Sequence, residues 1–113
     1  MKSTKLTRED AVKYGRVGVL GYNYQLPDVE SGTSIVYAEL TGEHGERITT
    51  GRTRIYYILD GEGTFIINGK KINVFPEDLI IIPPNTKYNY WPTKSPLKCL
   101  LIMEWFDPIN LPK

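Results

Sequence analysis

Two arginines and a tyrosine at alternate positions, Arg52, Arg54 and Tyr56, are the side chains of this 113-residue sequence best suited to grip a ligand. Alternate residues of a regular strand share a face, so Thr50 joins them if the segment is extended. A guanidinium holds a carboxylate or phosphate through two parallel N–H bonds, and tyrosine rings flank small polar or sugar-like molecules. Tyr88 and Tyr90 repeat the spacing of two later in the chain. Burying a guanidinium without a partner costs several kcal/mol, so Arg54 in an interior must meet a ligand anion or an internal acid such as Glu39 or Glu104. Arg52, nearer the start of its strand, is expected to reach water. The sole histidine, His44, lies in a Gly42–Gly45 turn, where an exposed ring is the ordinary outcome. The sole cysteine, Cys99, reads as an inert buried thiol.

Composition narrows the remaining classes. Fourteen Lys and Arg against thirteen Asp and Glu give a net charge of +1, and the cations are scattered. That removes the electrostatic footprint of a nucleic-acid partner. One cysteine excludes an internal disulfide and a CxxC pair. No apolar run approaches the ~18 residues of a membrane span, and Met1 to Lys5 lead into a charged segment, so no membrane partner and a cytoplasmic location are expected. The length suits one domain over residues 1–113, with a core that needs no staple.

The elements that would carry these side chains are mostly strands. Residues 7–14 predict one short helix, capped by Thr7, with Glu9 and Asp10 in its first turn and Gly15 as its stop. Beyond Val17 come short β-prone runs cut by turn residues: 33–40, 52–59 ended by Asp60-Gly61-Glu62-Gly63, a hairpin centred on Asn68-Gly69, an apolar run at 78–82, and strands at 87–91 and 97–106. Pro83-Pro84-Asn85 suits a turn with Asn85 at positive φ. The pattern predicts an all-β sandwich or barrel.

Over residues 42–92 the spacing resembles the cupin superfamily, whose two motifs flank a central hairpin. Gly42 and Gly61 fall at the outer positions of the first motif. In the second, Glu77 and Asn85 stand at glycine positions and Pro83 at its proline. The resemblance implies a double-stranded β-helix, a jelly-roll barrel, here preceded by the short N-terminal helix.

In metal-binding cupins, four positions supply ligands, and here they hold Ile48, Thr50, Arg54 and Tyr88; a one-residue shift moves the first two to Arg47 and Thr49. An arginine has no acceptor and repels a metal ion, so neither a metal nor another cofactor is expected. The resemblance also makes Arg52, Arg54, Tyr56, Tyr88 and Tyr90 interior candidates by parity. The reading this favours is a metal-independent cupin that binds a small anionic or sugar-like ligand inside the barrel through Thr50, Arg52, Arg54, Tyr56, Tyr88, Tyr90 and Glu104. The alternative is a metal-free isomerase, epimerase or lyase acting on a sugar or keto acid. Metal-free cupin enzymes use an interior histidine as base, and the frame has none, which leaves Glu39, Glu104 or a tyrosinate. Tyr57 and Trp91 fall on the outer face, and 97–106 is apolar at both parities. Covering both faces implies a homodimer.

Overall fold

The computed structural model describes residues 4–26 and 32–109. Eight strands carry almost all of the regular structure: β1 (Ala11–Arg16), β2 (Val19–Tyr24), β3 (Thr33–Leu40), β4 (Arg47–Ile48), β5 (Arg54–Ile67), β6 (Lys70–Val74), β7 (Leu79–Ile82) and β8 (Lys87–Glu104). All their pairings are antiparallel, in the order β1-β2-β3-β8-β5-β6, with β4 added to β8 and β7 to β5.

The helix expected over 7–14 is a single 3-10 turn, Arg8–Asp10, in which the Thr7 N–H donates to Asp10 Oδ2 at 2.7 Å. Residues 11–16 instead pair one for one with β2. A helix this short is marginal in water, whereas a strand lays the Tyr14 ring onto Gly21, where an added Cβ would stand 2.6 Å from it. Tertiary packing outweighs the capping signal.

Asp60 to Gly63 do not end a strand. They form a bulge inside β5, with Gly61 at φ 77 and a Cβ there only 2.2 Å from the Pro96 carbonyl oxygen. Across the bulge β5 stays paired with β8, so the strands expected at 87–91 and 97–106 are the two arms of one long strand. Bulged strands bend, and two long bent strands lying together fold one sheet over on itself. Turn chemistry follows the sequence closely. Asn68 and Gly69 (φ 51 and 85) make the tight hairpin, and Glu77 and Asn85 (φ 76 and 55) take the left-handed conformation at the two glycine positions of the second motif.

Register defines an inside and an outside. Gly21, Ala38, Cys99 and Ile58 form one buried row across β2, β3, β8 and β5, and Asn23, Val36, Leu101 and Tyr56 form the next. The opposite face carries Tyr24, Ile35, Ile102, Ile55 and Ile81, of which Ile81 is 58% exposed. Of the 97–106 run, Leu97, Cys99 and Leu101 point inward, but Trp105 lies beyond the end of β8 and is exposed.

Candidate functional site

Arg54 opens β5 and Glu104 closes β8, and antiparallel pairing brings these two strand ends to the same end of the barrel. Arg54 Nη2 donates to Glu104 Oε1 at 2.6 Å, and Nη1 donates to the Tyr88 hydroxyl. Burial works against the Arg54 cation, but the Tyr88 and Tyr56 hydroxyls and the Glu104 carboxylate outweigh it and hold the group charged. The internal acid foreseen for Arg54 is therefore Glu104. Glu39 is engaged elsewhere, accepting from the Tyr37 hydroxyl at 2.8 Å.

Tyr56, Tyr88 and Tyr90 are all buried. Tyr90 stacks on Phe65 at 4.4 Å between ring centroids, and Tyr56 meets Tyr90 edge-on at 5.1 Å. Burial raises the Tyr56 and Tyr90 hydroxyls well above the usual phenol value, so both stay protonated. The Tyr56 hydroxyl, Arg54 Nε and Glu104 Oε2 are covered and have no hydrogen-bond partner among the described residues. Burial also pushes the Cys99 thiol to about 12, as befits an inert core sulfur.

Thr50 and Arg52 do not join this cluster. β4 stops at Ile48 and β5 begins at Arg54, so the chain between them turns and the alternation drawn from 48 to 56 is broken. Thr50 is exposed, as is Arg52, whose Nη1 donates to the Gly32 carbonyl. Thr49 is the buried residue of the pair. Its hydroxyl donates to the Pro83 carbonyl at 2.6 Å and accepts from the Thr86 N–H at 2.9 Å.

The residue that sequence reasoning missed is His44. Its backbone N–H donates to the Tyr90 carbonyl at 2.8 Å, and its ring stacks on Tyr90 at 4.6 Å and faces Tyr88 at 5.7 Å. Nδ1 lies 2.9 Å from the Gly45 carbonyl oxygen. That oxygen can only accept, so the proton sits on Nδ1 and the free lone pair is on Nε2. Burial lowers the imidazole to about 4, against the opposing Gly45 hydrogen bond and with help from the Arg16, Arg47 and Arg54 charges. At neutral pH the ring is an unprotonated base. No local signal in the sequence marks it, because the loop is turned inward by contacts to residues more than forty positions away.

The residues at the four metal-ligand positions do not fit an ion. Ile48 is 64% exposed, Thr50 faces solvent, Arg54 is a paired cation, and the Tyr88 hydroxyl is engaged by it. Among the described residues no three His, Cys, Asp or Glu side chains gather to hold a metal. A hollow of about 460 Å³ opens beside the β1–β2 hairpin and touches Lys13, Tyr14, Arg16 and Glu39. None of His44, Arg54, Tyr56, Tyr88 or Tyr90 lines it, so the titratable cluster and this hollow are separate features. No helix among the described residues is long and apolar enough to cross a membrane.

Solved structures share this architecture. A Streptomyces PAC13 variant with a tyrosine replaced by phenylalanine, solved with uridine, superposes with a TM-score of 0.79 at 23% identity, covering 97% of this chain and 88% of that one. Another structure of Pac13, described as a unique nucleoside dehydratase, gives 0.78 at 24% over 96% and 88%. KdgF from Halomonas sp. gives 0.78 at 14% over 96% and 99%. No curated protein sequence matches the chain. Residues 35–103, more than half of the chain, match the sequence family described as the cupin domain. With that match, and a barrel closed by β5 and β8, the chain belongs to the cupin family.

Proposed function

We propose that this cupin is a metal-independent enzyme of the lyase type, removing water from a small sugar-like substrate, with His44 as general base and Tyr88 as general acid. One observation carries the reading: a neutral imidazole, its tautomer set by Gly45, stacked on the tyrosine pair inside the barrel. The metal-free alternative seen in the sequence lacked only an interior histidine, and His44 supplies one. Its Nε2 would take the proton from a carbon next to a carbonyl. The Tyr88 hydroxyl, whose oxygen accepts from Arg54, keeps its own proton to give to the departing hydroxyl, so that water and an unsaturated carbonyl leave together. Similarity to a nucleoside dehydratase, one of whose structures replaces a histidine and is solved with uridine, supports the choice of reaction class.

The substrate class follows from charge. Arg54 is already matched by Glu104, so the interior is closer to neutral than a site built for a carboxylate or phosphate. Hydroxylated, uncharged sugars and nucleosides are favoured over the anion expected from Arg54 alone.

The test is incubation with a panel of nucleoside and sugar aldehydes or ketones, read by mass for the loss of one water. Turnover should survive exhaustive chelation and fall by about a hundredfold or more in His44→Gln, the usual scale for a general base. A ligand that raises the melting temperature without turning over would instead indicate binding alone.

The same reading includes a homodimer in a reducing compartment. The outer row of Ile35, Ile102, Ile55 and Ile81, continued by exposed Leu79 and Tyr57, is an apolar face that a two-fold axis would lay against its own copy. Light scattering at tens of micromolar should give twice the chain mass, and Ile81→Lys together with Leu79→Lys should return the monomer. A monomeric wild-type chain would refute it.

A further inference from the structure

We propose that Asn89 is a positioning residue for His44, fixing the loop on both sides of the imidazole. The inference rests on the reading of His44 as the base. His44 lies between β3 and β4, in a stretch with no strand pairing of its own. Two long-range bonds to one carboxamide, from Glu43 and Gly45, bracket the histidine. Asn89 Oδ1 accepts the Gly45 N–H at 2.9 Å and the Tyr90 N–H at 2.8 Å, while Asn89 Nδ2 donates to Glu43 Oε2 at 3.0 Å. The residues immediately before and after His44 are therefore both tied to the same side chain, and the His44 N–H is tied to the residue that follows it in β8.

Gly45 is the link through which this reaches the ring. It sits at φ 96, where most side chains are strained, and its carbonyl accepts the Nδ1 proton. If Gly45 is free to turn, that carbonyl leaves Nδ1, and the proton is shared between the two ring nitrogens. Only a carboxamide meets the whole demand: an oxygen accepting two N–H groups and a nitrogen donating to a carboxylate. Aspartate in its place would lack the donor and face Glu43 with a like charge. Arg16, whose Nη2 donates to the His44 carbonyl, steadies the loop from β1 but makes no bond to Gly45. Asn89 does not touch the ring and acts through the backbone.

Because His44 is the sole histidine, nitrogen NMR of the labelled chain gives a single imidazole whose tautomer and titration can be followed directly. The wild type should show the Nδ1–H form titrating near 4. In Asn89→Ala, or in Asn89→Ser if the first does not fold, the two tautomers should mix and the midpoint should fall, because the Gly45 carbonyl bond that favours the protonated ring is lost. The kcat should fall roughly tenfold with KM little changed, as for a group that orients the base without binding substrate. A folded variant with the tautomer and titration unchanged overturns the assignment of Asn89, even where His44→Gln abolishes turnover. A shifted titration together with turnover that survives His44→Gln upholds Asn89 as the residue that sets the ring and overturns the catalytic reading alone.

Discussion

Arg54→Ala should lower the melting temperature of this protein by roughly ten degrees. Removing one member of a buried ion pair leaves its partner uncompensated, at a usual cost of ~3–5 kcal/mol. The side chains here are 12% and 22% exposed, which places the loss toward the lower end, about 3 kcal/mol. For a domain of this size each kcal/mol corresponds to about four degrees. The loss has two parts, an orphaned Glu104 carboxylate and a Tyr88 hydroxyl without its donor. Neutralising the first with Glu104→Gln in the same chain should recover most of the stability. If instead Arg54→Ala melts like the wild type and only ligand binding is lost, the cation serves the ligand rather than Glu104, and the substrate class is anionic after all.

The second large effect is in acid. His44 has its folded value depressed to about 4, while in the unfolded chain it titrates near the ordinary 6.5. Between those values the unfolded chain binds the proton and the folded one does not, so stability rises with pH. The contribution is fully present above about 6.5 and is lost as the pH falls to about 4, amounting to about 3 kcal/mol. Urea midpoints of the wild type and His44→Gln across that range should converge or cross as acid is added, because the variant has no ring to protonate. Parallel curves at a fixed offset would mean that the imidazole is not buried as a neutral base.

Where the sequence was legible, local geometry decides. Asn68-Gly69 and Asn85 need left-handed backbone whatever surrounds them, and Glu77 could be placed because its spacing matched a family glycine. Arg54, Tyr56, Tyr88 and Tyr90 were placed in the interior by counting alternate residues, which holds within 54–56 and 88–90 because those stretches are regular strand. The errors all arise where distant contacts override the local pattern. Tyr14 against Gly21 converts an apparent helix into β1, the Pro96 carbonyl fits against Gly61 to make a bulge of an apparent turn, and the turn after Ile48 takes Thr50 and Arg52 out of the interior. His44 is the extreme case, since its inward position depends on Tyr90 and Asn89, and nothing in residues 42–45 encodes that.

The neutrality of His44 also governs how the molecules behave toward one another. With a net charge of +1 and its one imidazole unprotonated, the protein lacks the side chain that would ordinarily add charge as a solution is made mildly acidic. Across that range its electrophoretic mobility stays near zero, and copies meet with little Coulomb repulsion between them. Colloidal solubility is then left to the scattered lysines and glutamates, and the apolar outer face is shielded by no long-range field.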